Sequence, residues 1–289
     1  MITSIQYEKT PEHAREMAAC AEMVRSDTGW HKETLEAYEQ LRQYYGPYMS
    51  AAIGKEFVRA VQPLLNGAPL RILDVGAGRG ETSLYLADHG HQVFPVEPSY
   101  EFCEVIEHLS RRFSKNMTIY NSTAEHLATP GDVFDVVIFN VSLHHCDDPS
   151  AALKNVSRYL RPGGKLLLIS EPMLPFFKTH ASVQQDQVTR GHELGDYGGN
   201  EHSYRYSEYV GMLEQAGFRN ITSEVVARYR SKEVIRQAMQ VDRRPPGFRK
   251  KLKSFYLNLI YQVQRPLLKP LLAIMKHLSL VQLTFSATK

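Results

Sequence analysis

The chain has 289 residues, 43% hydrophobic and 22% charged. That suffices for one large domain, or a domain with a cap, and excludes a mainly disordered chain. Its three cysteines, Cys20, Cys103 and Cys146, are odd in number, far apart and in no zinc-ligand spacing, so neither a disulfide scaffold nor a metal site is expected. The net charge of +3 hides a division: of 34 basic and 31 acidic residues, 14 and 2 fall in 228–289, leaving 20 and 29 in 1–227. An acidic body thus carries a basic C-terminal quarter, a pattern that attracts anionic partners. The polar start, MITSIQYEKTPEH, has no secretory character. No uncharged apolar run nears the roughly 20 residues of a spanning helix. A cytoplasmic chain is expected, with any membrane contact made at the surface.

Apolar residues at three- and four-residue steps (Met17, Cys20, Met23, Val24) predict helices over 12–65, broken near Gly46-Pro47. Residues 1–66 are therefore expected to form a helical N-terminal cap. The run Leu70 to Val75 reads as a strand entering Gly76-Ala77-Gly78-Arg79-Gly80, followed by a helix from Glu81 to His89 that Gly90 ends. A second strand covers 91–97. A helix near 100–114, strands at 117–120 and 134–139, a helix at 149–160 and a strand at 165–170 follow. Apolar strands alternating with helices imply a parallel sheet covered on both faces. Residues 175–204 break the rhythm with five Gly or Pro and with His180, His192, His202, Tyr197 and Tyr204. So long a loop inside a domain is usually functional, and it is read as the acceptor-side loop. A helix from Ser207 to Gln215 and a strand near 218–227 close the core, taken as residues 67–229. Residues 230–277 read as a basic amphipathic helical insertion, and 278–289 as a final strand.

The junction of strand, Gly-rich turn and helix brings backbone close to a ligand and offers free N–H groups. A dinucleotide favours G-x-G-x-x-G. This chain has G-x-G-x-G, with Asp74 two residues before the first glycine, where a carboxylate would repel a pyrophosphate. That acid suits a ligand with an ammonium group, and Glu97, ending the second strand, can accept from two ribose hydroxyls. Both requirements describe S-adenosyl-L-methionine; the competing reading is a tight turn that binds nothing.

Leu73-Asp74-Val75-Gly76-Ala77-Gly78-Arg79-Gly80 resembles the first motif of the class I S-adenosylmethionine-dependent methyltransferases. Glu97-Pro98-Ser99 resembles the segment after their second strand, and Thr123-Ala124-Glu125 the loop that walls the adenine, with Thr123 where the family often has an acid. Phe134-Asp135-Val136-Val137 with Leu143-His144-His145 resembles the fourth-strand motif, and Leu160-Arg161-Pro162-Gly163-Gly164-Lys165 the turn into the fifth strand. The resemblance covers about residues 68–228. It implies an α/β Rossmann-like sheet of seven strands, with an antiparallel last strand inserted between the fifth and sixth. It also implies cofactor contacts at Asp74, Gly76, Ala77, Gly78, Arg79, Glu97, Pro98, Ser99, Thr123, Ala124, Glu125, Asn140 and Val141, with Tyr44, Tyr45 and Tyr48 of the cap as further candidates.

A sulfonium methyl is already electrophilic, so such an enzyme must align acceptor, methyl and sulfur and take a proton from a hydroxyl acceptor. Candidate bases belong at the C-terminal ends of the strands. These are His145 after the fourth strand, Glu171 after the fifth, and His202 in the acceptor-side loop, with His144 and Tyr204 nearby. Each also has a structural reading: loop support for His145, pairing for Glu171, lid packing for His202. His180 and His192 read as solvated, and Cys146 as inert. Gly199 to Tyr204, followed by a helix and Ala216-Gly217-Phe218, resembles methyltransferases found with glycan and glycolipid assembly enzymes. The acceptor expected from that likeness is a hydroxyl of a small molecule, sugar or glycolipid. A non-catalytic binding or assembly module on the same fold, and a lipid, quinone or RNA acceptor, are the alternatives.

Arg249-Lys250-Lys251-Leu252-Lys253 opens a run in which Leu252, Phe255, Tyr256, Leu259, Ile260 and Val263 share one helical face. Residues 249–276 then lie on an anionic membrane surface, or pack on the chain's own domain or on a second copy in a homodimer. No RNA-binding module is recognisable, so no nucleic-acid partner is expected.

Overall fold

The near-continuous apolar runs become the strands of one sheet because both of its faces are covered. In this computed structural model the described residues are 1–26, 51–65, 67–129, 131, 133–183, 202–226, 255–256, 258–262, 264 and 269–289. The strands are β1 (Ile2–Ser4), β2 (Arg71–Val75), β3 (Gln92–Val96), β4 (Ile119–Asn121), β5 (Phe134–Asn140), β6 (Leu160–Glu171), β7 (Arg219–Val225) and β8 (Leu283–Thr288). Their order is β1-β4-β3-β2-β5-β6-β8-β7. β8 runs antiparallel to both of its neighbours, β6 and β7. The other pairings are parallel.

The period of two divides each central strand between the faces. Leu73, Val75, Val137, Phe139, Leu166 and Leu168 pack together on one face. Ile72, Val136, Ile138, Leu167 and Ile169 pack on the other. The helices are α1 (Pro11–Ser26), α2 (Ala51–Leu65), α3 (Glu81–Asp88), α4 (Tyr100–Arg112), α5 (Pro149–Tyr159), α6 (Tyr206–Gln215) and α7 (Lys269–His277). α5 and α6 cover the first face through Leu153, Val156, Tyr209 and Leu213. α2 and α3 cover the second through Phe57, Val61 and Tyr85. Met17 and Cys20 of α1 join Phe102, Ile106 and Leu109 of α4 in a third cluster beside the glycine turn. Helix starts are chemically marked: Ser99 Oγ accepts from Phe102 N–H before α4, and Asp148 from Ala151 N–H before α5, where Pro149 opens the first turn.

The expected insertion of an antiparallel last strand is observed, and the sheet has eight strands rather than seven. The extra one, β1, pairs in parallel with β4, Ile2 opposite Ile119. Three residues in a polar terminus carry no periodicity, so nothing in the sequence marked them as a strand. Within 1–66 the structure places this strand, α1 and α2; residues 27–50, with Tyr44, Tyr45 and Tyr48, lie outside the described residues. Much of 230–277 does too, including Arg249 to Lys253. In its described part Ile260 is buried, and Tyr256 and Tyr261 pack on the sheet's first cluster. Among the described residues no helix is long and apolar enough to cross a membrane.

β8 is held from α2 by a buried acid. Glu56 Oε1 accepts from Thr284 Oγ1 at 2.6 Å and from Arg59 Nη2 at 2.6 Å. Arg59 Nη1 also donates to Glu224 Oε2 of β7 at 2.6 Å. Arg59→Ala removes the cation from the buried Glu56 carboxylate and should cost about 2 kcal/mol of stability. Equilibrium urea unfolding measures this, and a change within about 0.5 kcal/mol, the range of ordinary surface substitutions, would show the pair to be idle.

Candidate active site

At the end of β2 the chain must turn within touching distance of β5. Gly76 takes φ +68°, and a Cβ there would stand 2.4 Å from Ser142 Cβ, so only glycine fits. Gly76 and Ala77 N–H groups donate to the Val96 carbonyl at 2.8 and 3.1 Å. Ser142 Oγ donates to the Val75 carbonyl at 2.6 Å. Glu97 completes the clamp: Oε2 accepts from Gly78 N–H at 2.8 Å and Oε1 from Ser99 N–H at 2.9 Å. Burial pushes the Glu97 carboxyl up to about 8, against the downward pull of those two N–H groups. A Cβ on Gly78 would meet nothing within 4 Å.

A cavity of ≈ 1390 Å³ opens in front of this turn. Gly76, Ala77, Gly78, Arg79, Glu97, Pro98, Thr123, Ala124, Glu125, Asn140, Val141 and His145 all line it. Ser99 does not; it caps α4 and ties Glu97. Asp74, expected to grip a ligand ammonium, does not line the cavity. Its Oδ2 accepts from Thr82 Oγ1 at 2.8 Å and Ser83 Oγ at 2.6 Å, anchoring the first turn of α3 to β2. Its Oδ1 has no hydrogen-bond partner among the described residues, and burial raises its pKa.

Two of the three expected bases do not line the cavity as the described residues form it. Glu171 is fully buried and lies off the cavity wall. Its Oε1 accepts from the N–H groups of Ser142 and Leu143 at 3.0 and 3.1 Å. Its Oε2 accepts from His144 N–H at 3.2 Å and bonds His144 Nδ1 at 2.8 Å. A carboxylate has about four lone-pair sites, so none remains for a substrate proton, and Glu171 instead positions the 142–145 turn. His202 donates its main-chain N–H to the His144 carbonyl at 3.0 Å and is not on the wall; burial lowers its pKa. Tyr204 bridges to Met173 behind the turn. His180 pairs with Glu208 at 3.1 Å, whereas His192 and Tyr197 lie outside the described residues. Cys146 lines the cavity, and burial keeps its thiol well above its ordinary pKa, in keeping with an inert cysteine.

His145 does face the cavity, and its partner comes from α1 of the expected N-terminal cap, where no base or base partner was expected. His145 Nδ1 lies 3.2 Å from Glu16 Oε1 of α1. Glu16 Oε2 stands 4.0 Å from His13 Nδ1. His13 Nε2 bonds Tyr7 Oη at 2.9 Å, and the Tyr7 ring stacks on His126 at 4.7 Å. Thr10 Oγ1 donates to Asp147 Oδ2 at 2.7 Å. Burial lowers the His13 pKa and raises that of Tyr7. One signal was available in the sequence. His13, Glu16, Met17 and Cys20 recur at three- and four-residue steps, so the two polar residues share a helical face with two core residues.

If Glu171 holds the turn, Glu171→Ala should cost about 3 kcal/mol, because it orphans buried N–H groups and the His144 ring. Urea unfolding reads this directly. Unchanged stability would return Glu171 to the list of bases.

A family model described as a methyltransferase domain matches residues 73–168. The uncharacterized methyltransferase YcgJ of Bacillus subtilis is 30% identical over 122 residues, 40% of this chain and 48% of that protein. The chain thus spans about half the length of that relative. The ubiquinone/menaquinone biosynthesis C-methyltransferase UbiE of Vibrio parahaemolyticus is 30% identical over 185 residues, 55% of this chain and 70% of that protein. In fold, the chain is similar to Haemonchus contortus phosphoethanolamine N-methyltransferase 2, solved with S-adenosylhomocysteine, at TM-score 0.57 and 17% identity, covering 87% of this chain and 56% of that one. With the motif turn, the strand order and a 30% identical relative covered over 70% of its length, the chain belongs to the class I S-adenosylmethionine-dependent methyltransferase family.

Proposed function

We propose that this chain transfers the methyl group of S-adenosylmethionine to a hydroxyl of an uncharged small-molecule or sugar acceptor, with His145 as the base. The observation that carries this reading is the clamped glycine turn opening on a wall of unanswered acceptors. Asn140 Oδ1 and Glu125 Oε2, both on buried parts of the wall, have no hydrogen-bond partner among the described residues. The cofactor supplies donors to match: an ammonium group, ribose hydroxyls and the adenine amino group. Glu97 keeps lone pairs for the ribose beyond the two N–H bonds it accepts. Gly78 leaves open space where a side chain would intrude. The residues present therefore fit the family's cofactor.

When bound, that cofactor supplies an electrophilic methyl on a sulfonium. The chain's own part is alignment, exclusion of water and removal of one proton. Glu16 on Nδ1 fixes the His145 ring and directs its other nitrogen, Nε2, to act as acceptor. The carboxylates of Glu8, Glu16, Glu125, Asp147 and Asp148 on the wall, against Lys9 and Arg79, disfavour phosphate- or carboxylate-bearing acceptors and polynucleotides. A second reading, methylation of a ring carbon on a quinone-like lipid, draws on the likeness to UbiE, a ubiquinone/menaquinone biosynthesis C-methyltransferase. There too a base near the methyl would take the proton that carbon loses. The structure of the methylated product, O–CH₃ or C–CH₃, decides between them.

The first test is calorimetry with S-adenosylmethionine, followed by mass spectrometry of metabolite extracts incubated with enzyme and methyl-labelled cofactor. A labelled product is expected. His145→Ala should keep cofactor binding while transfer falls by about 10²–10⁴-fold, the usual worth of a general base. Absence of cofactor binding, or full transfer by the variant, overturns the proposal. Glu97 supplies a second check. Free, it titrates near 8, so it is mostly protonated at neutral pH. Ribose hydroxyls donating to the ionised form pull that value down, so binding should expel a proton and tighten as pH rises toward about 8. Calorimetry in buffers of differing ionisation enthalpy reads the proton, and Glu97→Gln should abolish its release. Equal release by that variant would place the titrating group elsewhere.

A further inference from the structure

The start of α1 and the segment before it carry polar side chains that methyl transfer, as described above, uses only at Glu16. Among the described residues the Tyr7 phenol has a single hydrogen-bond partner, His13 Nε2 at 2.9 Å. The other ring nitrogen of His13, Nδ1, faces Glu16 Oε2 at 4.0 Å. Glu16 Oε1 in turn meets His145 Nδ1 at 3.2 Å. His13 and Glu16 are both buried, and all four side chains line the cavity. The main chain holds this row in place. Residues Ile2–Ser4 pair with β4, and Ile5 N–H donates to the Asn121 carbonyl at 3.0 Å. Thr10 Oγ1 accepts from His13 N–H at 3.1 Å and donates to Asp147 Oδ2 at 2.7 Å, just past His145. The Tyr7 ring is fixed separately, by stacking on His126.

We propose that Tyr7 and His13 are positioning residues that act through Glu16 on the tautomer of His145, a role that rests on the methyl-transfer reading. The protons can be assigned one by one. Burial raises the Tyr7 pKa, so the phenol keeps its proton and donates a hydrogen bond to His13 Nε2. Burial also lowers the His13 pKa, with Lys9 and against the pull of Glu16, Asp147 and Glu125. The ring is therefore neutral at neutral pH. A neutral imidazole whose Nε2 accepts must carry its proton on Nδ1. That N–H faces Glu16 Oε2; the other tautomer would turn a lone pair toward the carboxylate. At 4.0 Å the contact is electrostatic rather than a hydrogen bond, so its sign decides its effect. The N–H attracts Oε2, and a lone pair would repel it. Attraction on that side keeps Oε1 directed at His145 Nδ1, whose proton it accepts. His145 Nε2 is then left bare for the proton of the acceptor. Tyr7 thus fixes His13, His13 steadies Glu16, and Glu16 orients the base.

Long-range proton–nitrogen NMR of the imidazoles in the full chain reads the tautomer, with the His13 signals assigned by their loss in His13→Asn. Wild type should carry the proton on Nδ1. Tyr7→Phe, which keeps the ring and its stacking, should move that proton toward Nε2. Wild type with the proton on Nε2, or Tyr7→Phe identical to wild type, overturns the proposal; neither cofactor nor acceptor is needed. The second readout is transfer from methyl-labelled S-adenosylmethionine into metabolite extract. Tyr7→Phe and His13→Leu should each slow it about tenfold, against about 10²–10⁴-fold for losing the base itself. Affinity for S-adenosylhomocysteine, by calorimetry, should hold. The double variant should be no slower than the worse single, because both act along one route. His13→Asn, whose amide N–H can stand in for Nδ1–H, should recover part of the loss seen in His13→Leu. In His145→Ala, adding Tyr7→Phe should change nothing further. Additive losses, equal loss in the Asn and Leu variants, or further slowing of His145→Ala overturns this proposal alone. Wild type that transfers no methyl overturns the methyl-transfer reading, and this role with it.

Discussion

The carboxylate of Glu97 takes Gly78 N–H on one oxygen and Ser99 N–H on the other, and much of the cavity depends on that grip. It ties the glycine turn after β2 to the start of α4 after β3. Both ends of the clamp are main chain, so the wall's shape depends on backbone rather than on side-chain rotamers. Gly76 adds the complementary constraint from the other side: its α-carbon approaches Ser142 so closely that no side chain fits between. Held against β3 by one contact and β5 by the other, the turn presents Gly78 to open space.

Buried acids do most of this positioning. Asp74 holds the first turn of α3, Glu97 the glycine turn, and Glu171 the 142–145 turn. Each lies at or just past the C-terminal end of a parallel strand, where main-chain N–H groups emerge without sheet partners. A buried carboxylate is costly unless its lone pairs are answered, and N–H groups and hydroxyls answer them here. Glu16 differs: it arrives from a helix and faces imidazoles instead of backbone. That separates the acid acting with a cavity histidine from those that hold the frame.

This distinction also explains what was legible in the sequence. The strands were readable because each central one alternates between two apolar clusters, and the glycine turn because left-handed backbone leaves few residue choices. Spacing placed Asp74, Glu97 and Glu171 at strand ends, yet could not say which way each carboxylate points. Of those three, only Glu97 lines the cavity. For Glu171 the deciding fact is the count of N–H groups around it, a property of the folded turn. His202 was selected by composition, as a histidine in a long loop, and only its main chain reaches the turn, through the His144 carbonyl. β1 escaped notice because a three-residue strand takes its stability from the edge it joins rather than from its own pattern.

The adjacent histidines show how two segments distant in sequence meet at one point. Their rings lie 4.2 Å apart on a single turn, yet they have opposite duties, set by which carboxylate each meets. His144, although it also lines the cavity, bonds Glu171, which arrives from β6, and becomes part of the frame. His145 turns outward to Glu16, which arrives from α1, and faces the cavity. The core residues of the matched family model, 73–168, hold both histidines but not Glu171 or Glu16. The carboxylates that meet this turn thus come from segments outside the matched residues. Such segments can vary between relatives while the glycine turn stays fixed, which is how one cofactor-binding frame can serve different acceptors.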